Sequence, residues 1–302
     1  MQTTAIILII ISAYSHAGWN LVSKKQHPAA AFFLLSTATT AVCASPILVY
    51  YHEQLKLVPP FVWFLAALSG LFEAVYFSSL AGAYRAGDMS IAYPLARSSP
   101  IIVVTVVTVF LGRGKEVSGL CVAGILLVVA GCYILPMKRF GEFRLKNYLN
   151  ACCLLALAAA FGTAGYSIAD DEALRILRGL PGRPLSPLGA TLLYLCFIYA
   201  STAAWLSIFI VCRSSERKAL VRIFRQTKRY VVLTASLSFG TYLLVLLSLA
   251  FVANVSYVVA FRQLSIPIGS ILGIVWLKEP AYAPKIAGMG TIVTGLFLVA
   301  LG

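Results

Sequence analysis

The stretch Asp88–Pro100 reads DMSIAYPLARSSP, and it opens an apolar segment in which Arg97 is the one cation. A second apolar segment begins at Asn254 and carries Arg262 eight residues further on. An arginine inside an apolar helix is costly, so it usually faces the bundle interior and marks a functional site. Two such arginines in two similar segments therefore predict one shared site.

The composition around this stretch is that of a membrane protein, because 60% of the 302 residues are hydrophobic and only 11% are charged. A helix needs about 20 apolar residues to cross a bilayer core. Strands of a membrane barrel would alternate in polarity, and Ile101–Leu111 does not. We therefore predict an all-α polytopic membrane protein with ten transmembrane helices near residues 3–23, 30–51, 61–84, 88–112, 117–136, 148–169, 188–212, 230–252, 254–277 and 283–301.

The positive charges indicate which helix ends face the cytoplasm, because cytoplasmic loops retain lysine and arginine. Of the 24 such residues, sixteen fall in the loops after spans 1, 3, 5, 7 and 9, and six in the loops after spans 2, 4, 6 and 8. Both termini are therefore predicted outside. Since Met1–Thr4 contains no basic residue, the first apolar run is predicted to be a span and not a cleaved signal. The net charge of +14 indicates anchoring to anionic lipid and not nucleic-acid binding.

Other residue patterns limit the chemistry. The seven cysteines lie in or at the edges of apolar spans, which is typical of small core residues, so we expect no disulfide and no metal site. The sequence has no His-Glu-x-x-His metal motif, no Gly-x-Ser-x-Gly elbow and no phosphate loop. We therefore expect neither an enzyme nor a bound cofactor.

Polar side chains mark the first and third spans. His16, Trp19 and Asn20 share one helical face, which favours a cavity lining, although such groups can also join helices by hydrogen bonds. Glu73 lies midway along the third span, where a carboxyl group must be paired with a cation or protonated. Arg97 is its candidate counter-charge, with Arg262 as the second intramembrane cation available. A structural ion pair and a role in substrate or proton coupling both stay open.

Arg97 lies nine residues into its helix, about 13 Å along the axis, and therefore close to the bilayer midplane. Tyr93 shares its face. Pro94 and Pro100 each remove a backbone donor and can kink the helix. Interrupted helices at the midplane are typical of the binding sites of transporters.

The chain also repeats itself. Gly124-x6-Gly131 in the fifth span recurs as Gly288-x6-Gly295 in the tenth, and residues 160–167 of the sixth span match residues 13–20 of the first. Tyr76 then corresponds to Tyr242, and Glu73 to Phe239. Each repeat holds five spans, an odd number, so the second repeat must enter the membrane in the opposite direction. Residues 1–147 and 148–302 are thus predicted to be two inverted five-helix repeats around a central cavity.

Two polar segments are assigned to the surface. Asp170–Pro187 is predicted to lie outside, with helical pairs between Asp171 or Glu172 and Arg175. Arg213–Arg229 interleaves cations with apolar residues and predicts either a basic amphipathic helix on the inner leaflet or a solvated charge run.

Ten spans, a five-plus-five duplication, the short connection Ala83–Asp88, the sequence Trp276-Leu277-Lys278-Glu279 and the glycine-spaced fifth and tenth spans together resemble the EamA family of the drug/metabolite transporter superfamily. The stretch His16–Asn20 is similar to a first-helix signature of some members. The resemblance extends over essentially the whole chain. It implies a multi-pass protein of the bacterial inner membrane, with alternating access by rocking between the halves.

By position, the resemblance implies a cavity lined by His16, Trp19, Asn20, Glu73, Tyr76, Tyr93, Arg97, Tyr166, Tyr242, Arg262 and Gln263. Because arginine stays charged and binds oxyanions through two parallel hydrogen bonds, we expect a secondary transporter for a small anionic or zwitterionic metabolite. Its carboxylate, phosphate or phosphonate would bind Arg97 and Arg262. Membrane lipids and a proton taken up by Glu73 are the further partners expected. The alternative is a neutral amino-acid or drug exporter in which Arg97 is locked to Glu73.

Overall fold

A computed structural model describes residues 2–24, 29–86, 89–141, 151–180, 185–276, 278 and 280–302, and all the regular secondary structure in this part is helical. The α-helices in chain order are α1 Thr3–Lys24, α2 Ala30–Tyr50, α3 His52–Leu55, α4 Pro60–Ala86, α5 Met89–Thr108, α6 Gly119–Ile134, α7 Ala151–Arg178, α8 Pro187–Val211, α9 Ser214–Gln226, α10 Lys228–Ser248, α11 Val255–Phe261, α12 Ser265–Trp276 and α13 Ala283–Leu301. A π-helical turn, Val109–Arg113, and a 3-10 turn, Gly114–Glu116, extend α5.

The helices have the length and apolarity of a polytopic membrane protein. Within the described residues, eight helical segments are long and apolar enough to cross a bilayer, and two shorter apolar helices cover Thr3–His16 and Gly119–Ile134. Each of the ten predicted apolar runs coincides with one of these segments. Large apolar side chains also point outward, such as Phe110 and Phe297, which are 85% and 67% exposed. Such side chains are suited to contact with lipid tails.

The ninth predicted span is broken at its arginine. Helix α11 ends at Phe261, a 3-10 turn covers Arg262–Leu264, and α12 then begins at Ser265. The prolines of the fourth span have a smaller effect, because α5 continues without a break past Pro94 and Pro100. The interruption of the backbone therefore lies at Arg262 and not at Arg97.

Helix contacts occur in corresponding pairs. Helix α4 packs on α7, and α1 packs on α10, while α2 packs on α8 and α6 packs on α13. If the five spans of the first part are matched in order to those of the second, the α4–α7 contact corresponds to the α10–α1 contact. The α2–α8 and α6–α13 contacts each join two matched spans, so exchanging the two parts of the chain leaves these contacts the same. This is the pattern that a duplicated bundle produces.

The repeated glycines form the α6–α13 contact. A Cβ atom added to Gly124 would lie 2.5 Å from the carbonyl oxygen of Gly295, and one added to Gly295 would lie 2.6 Å from that of Gly124. Gly131 and Gly288 approach each other in the same reciprocal way. Small residues at these four positions let the two backbones touch, which is how apolar helices associate within a membrane.

The structure corrects the surface assignment of Asp170–Pro187. Helix α7 continues to Arg178, and Asp170 and Asp171 are 0% and 1% exposed. The helical pair between Asp171 and Arg175 is confirmed, with Arg175 Nε 3.2 Å from Asp171 Oδ2. The sequence placed the end of the sixth span at residue 169 because the apolar run ends there, whereas helix packing buries the next turn as well.

The basic segment Arg213–Arg229 forms the predicted helix, α9. Its apolar side, including Ala219 and Ile223, packs against α2 and α8, while Phe224 and the basic residues are exposed. Glu216 is buried and joins α9 to its neighbours: its Oε1 lies 2.8 Å from Arg85 Nη1, and its Oε2 accepts a hydrogen bond from Ala31 N. We call this part of the bundle the Glu216 end.

Candidate functional site

Arg97 projects from α5 toward elements of both halves of the chain. Its Nη1 lies 3.2 Å from His16 Nε2, and its Nη2 donates to Ser265 Oγ at 2.5 Å. Because a guanidinium can only donate, His16 Nε2 must accept, so the imidazole is neutral in this arrangement. The Nε of Arg97 is buried and has no hydrogen-bond partner in the described part of the chain.

Arg262 occupies the 3-10 turn and faces an aromatic group. Its Nη2 donates to Tyr166 Oη at 3.1 Å, and its guanidinium carbon lies 5.7 Å from the centre of the same ring. Tyr166 in turn meets Tyr242 and Tyr76 edge to face, with ring centres 5.9 and 6.1 Å apart. Three of the predicted tyrosines therefore form one wall beside Arg262.

Ser265 joins the surroundings of the two arginines. Its hydroxyl accepts from Arg97 Nη2 and donates to the carbonyl oxygen of Arg262 at 2.9 Å. The same carbonyl also accepts the backbone N–H of Ser265 in the 3-10 turn. Ser265 thus joins the side chain of Arg97 to the backbone of Arg262.

Asp170 is a buried acid that the sequence analysis assigned to a surface loop. Its Oδ1 accepts from Ser69 Oγ at 2.5 Å and from Tyr194 Oη at 3.1 Å, while its Oδ2 accepts a short hydrogen bond from Tyr242 Oη. Helices α4, α8 and α10 each supply one of these donors to α7. The sequence did contain one indication that Asp170 belongs to the site: it follows Tyr166 by four residues and therefore shares its helical face.

Glu73 is 6% exposed and accepts from Thr202 Oγ1 at 2.7 Å. The predicted pair of Glu73 with Arg97 is not formed: the ion pairs of the described residues do not include either group. Helix packing therefore turns Glu73 toward α8 and away from α5.

The other predicted residues divide into two groups. Gln263 is buried, donates to Val259 O at 3.0 Å, and has a buried Oε1 without a partner in the described part of the chain. The side chains of Trp19, Asn20 and Tyr93 lie outside the described residues.

A small cavity lies beside Arg262, and its polar lining consists of Ser167, Asp170, Tyr242 and Arg262. The structure thus brings Arg262, Tyr242 and the unexpected Asp170 to one space.

A charged network lies beside Asp170 at one end of α7. Arg113 Nη1 is 2.8 Å from Asp171 Oδ2, and Arg113 Nε is 2.9 Å from Glu116 Oε2. Arg175 completes the network through Asp171 and through the carbonyl oxygen of Ala253. These contacts join the extension of α5 to α7 and to the turn before α11, and we call this part of the bundle the Asp171 end.

Comparisons with known proteins agree with this fold. The model of the EamA-like transporter family matches residues 3–137, which confirms the family resemblance. A solved structure described only as "Crystal structure of protein" superposes on 100% of this chain and 98% of its own, with a TM-score of 0.65 and 19% identity. That likeness concerns the fold alone. A search of curated proteins finds no match. Together with the eight apolar helices, these findings identify a multi-pass membrane protein similar to the EamA-like transporters.

Proposed function

We propose that this protein is a secondary active transporter that moves a small anionic or zwitterionic metabolite by alternating access. Ten spans cross the bacterial inner membrane, and residues 1–147 and 148–302 form inverted repeats around the site. The corresponding helix contacts and the reciprocal glycine contact of α6 with α13 support this duplication. Arg97 and Arg262 bind the carboxylate, phosphate or phosphonate of the substrate.

The observation that carries the proposal is the environment of Arg97. Its hydrogen bonds in the described structure go to two neutral groups, His16 and Ser265, and its buried Nε has no partner there. A guanidinium inside a membrane bundle is stabilised best by an oxyanion that accepts two parallel hydrogen bonds. A bound anion would supply that partner and release the contact with Ser265. Arg262 and the tyrosine wall would complete the site from the second repeat.

The same contacts disfavour the alternative of a neutral amino-acid or drug exporter. That hypothesis needs Arg97 locked to Glu73, whereas Glu73 accepts from Thr202 and Arg97 donates elsewhere. With Arg97 not paired to Glu73, a neutral substrate would leave the charge of Arg97 without an anionic partner.

Alternating access requires contacts between the halves that open in turn at the two ends. The Asp171 end joins Arg113 and Glu116 of the first repeat to Asp171 and Arg175 of the second. The Glu216 end joins Arg85 of the first repeat to Glu216 of the second. The loop charges place the Asp171 end and both termini outside. Accessibility of tags at the two termini in intact cells tests this topology, and cytoplasmic termini would reverse it.

The test of the substrate class is a thermal-shift screen of the purified full-length protein against carboxylates, phosphorylated metabolites, phosphonates and neutral amino acids, since a ligand stabilises the folded state to which it binds. We expect anions to raise the melting temperature of the parent protein. Arg97→Gln and Arg262→Gln should each reduce that rise, and Arg225→Gln, which removes an exposed charge of α9, should not. Binding of neutral amino acids alone, unchanged in Arg97→Gln, would overturn the proposal.

A further inference from the structure

Two buried carboxyl groups, Asp170 of α7 and Glu73 of α4, lie at the same face of α4. Asp170 of α7 is bound by Ser69, and Glu73 follows Ser69 by one helical turn on the same face. Neither carboxyl group takes part in an ion pair of the described residues. A carboxyl group enclosed in a membrane bundle must be stabilised by hydrogen bonds when charged, or else carry a proton.

The donors around both groups are hydroxyls. Ser69, Tyr194 and Tyr242 donate to Asp170, and Thr202 donates to Glu73. A hydroxyl can rotate and accept, whereas a backbone or guanidinium N–H can only donate. This shell therefore accommodates the ionised and the protonated carboxyl group with little rearrangement, which is the property that a reversible proton site requires.

Polar groups extend from these carboxyls toward both ends of the bundle. Asp170 adjoins Asp171 and the network of the Asp171 end. On the other side, Tyr199 lies one turn before Thr202 on α8 and reaches Ser238 Oγ at 3.5 Å. Ser238 and Tyr199 line a small cavity that also contains Ser36, Thr37, Thr40 and Thr234, near the beginning of α2 and therefore toward the Glu216 end.

The lining of this second cavity includes a buried hydroxyl without a hydrogen-bond partner in the described part of the chain. The Oγ1 of Thr234 is buried and has no hydrogen-bond partner among the described residues. A buried hydroxyl without a protein partner is commonly satisfied by an ordered water. Water at this position would continue the series of hydroxyls from Glu73 toward the Glu216 end.

The charged and titratable groups that face the two carboxyls come from every helix packed against them. Helix α7 itself presents Tyr166, α8 presents Tyr194 and Tyr199, α10 presents Tyr242, and the turn after α11 presents Arg262. From the extension of α5, Arg113 contacts Asp171 and not Asp170. Arg262 lines one small cavity together with Asp170, so its charge can be shared between that carboxyl group and a substrate anion.

We propose that Asp170 and Glu73 form a proton-binding site whose occupancy is coupled to anion binding at Arg262. The inference rests on the proposed function, because it assigns the coupling ion of that transport. A substrate anion and an ionised carboxyl group compete for the charge of Arg262. Protonation of Asp170 removes the competitor, so proton and anion binding favour each other, and by linkage each raises the affinity of the other by the same factor.

Infrared spectroscopy of the full-length protein in lipid nanodiscs tests the proton site without any substrate. We expect the carboxylic-acid absorption of buried groups to change between acidic and alkaline pH. One part of this change should vanish in Asp170→Asn and another in Glu73→Gln. Glu172→Gln, which alters an exposed carboxyl group two residues further along α7, should leave both parts intact. Retention of the entire change in Asp170→Asn and in Glu73→Gln would overturn the proton site.

Anion binding then tests the coupling. With the strongest anion of the thermal-shift screen, the affinity of the parent protein should rise roughly tenfold from alkaline to acidic pH, a change within the usual range of coupling between sites. Asp170→Asn should bind with nearly pH-independent affinity. An unchanged pH dependence in Asp170→Asn would refute the coupling. If no anion binds at any pH while the infrared changes are present, the proposed substrate class fails and the proton site stands.

A folding control keeps this test decisive. Asp170→Asn preserves the shape of the side chain and can both donate to and accept from the surrounding hydroxyls. If the variant nevertheless does not fold, Glu73→Gln provides the same infrared comparison, because its carboxyl group is separately bound by Thr202. Persistence of every pH-dependent band in a folded Glu73→Gln would then count against the proposal.

Discussion

Arg97 and Arg262 lie in two similar apolar segments of the sequence, yet their surroundings in the structure differ. Arg97 lies in the uninterrupted helix α5 and contacts the neutral groups of His16 and Ser265. Arg262 lies in a 3-10 turn, is hydrogen-bonded to Tyr166, and lines a small cavity together with Asp170. One arginine therefore contacts neutral groups, while the other lies beside a tyrosine wall and a buried carboxyl group.

This difference shows that helix packing can give two arginines in similar segments different environments. The sequence comparison matches Glu73 to Phe239, so the later part of the chain has no carboxyl group at the position of Glu73. The second acid, Asp170, lies on α7. The surroundings of the two arginines are therefore not equivalent.

The largest effect that the comparison predicts is on stability. Arg262→Gln should lower the free energy of unfolding by about 3 kcal/mol, because it removes the charged donor to Tyr166 and the cation that lines one cavity with Asp170. Arg97→Gln should cost much less, because the described contacts of Arg97 are neutral. Thermal melting in detergent measures both, and Arg262→Gln combined with Asp170→Asn should recover most of the loss. Equal melting temperatures for the two single variants would contradict the asymmetry.

Anion affinity should show the opposite ranking. Arg97→Gln should weaken binding of the best anion roughly 100-fold, and Arg262→Gln roughly tenfold, within the range measured when one partner of a desolvated charge pair is removed. Arg97→Lys should lie between the parent and Arg97→Gln, since lysine keeps the charge but loses the planar fork. Titration calorimetry measures these constants, and Arg225→Gln serves as the control of equal charge. A stronger loss in Arg262→Gln than in Arg97→Gln would reverse the proposed roles.

The aromatic contact of Arg262 can be weakened without removing a charge. Tyr166→Phe deletes the hydroxyl that accepts from Arg262 and keeps the ring, so the free energy of unfolding should fall by about 1.5 kcal/mol. Tyr14→Phe, on the exposed face of α1, provides a matched control with no expected change. Anion affinity should fall by less than the roughly tenfold expected for Arg262→Gln, because the charge of Arg262 remains. A loss of anion affinity as large as that of Arg97→Gln would show that the two arginines do not act separately.

The smallest effect concerns the serine between the two arginines. Ser265→Ala removes the acceptor of Arg97 Nη2 and the donor to the carbonyl oxygen of Arg262, and should cost about 1 kcal/mol of stability. Anion affinity should be unchanged or slightly higher, because Arg97 no longer exchanges one hydrogen bond for another when the anion arrives. Ser45→Ala, at an exposed position of α2, is the reference. A clear loss of affinity would make Ser265 part of the binding site itself.

Much of the architecture could be predicted from local patterns. Apolar runs located the helices, and the repeated spacing of Gly124, Gly131, Gly288 and Gly295 picked out residues that meet in the contact between α6 and α13. The family resemblance grouped Tyr166, Tyr242 and Arg262, which the structure places next to one another. The pairing of Glu73 was wrong, because sequence order does not determine which neighbour a side chain in the middle of a bundle will face. Asp170 was missed because hydropathy ends a span at the first charged residue, whereas three neighbouring helices supply the hydroxyls that let this one be buried.

The sequence by itself determined the class of protein, the positions of the helices and the two arginines, because these follow from the length and apolarity that a bilayer requires and from the cost of a charge within it. Only the tertiary structure decided which groups compensate those charges. Thr202, Tyr194 and Ser69 carry no distinctive pattern in the sequence, and they gain their roles when helix packing brings their hydroxyls within hydrogen-bonding distance of Glu73 and Asp170. Apolarity is a property of a segment, whereas the compensation of a buried charge depends on which segments meet.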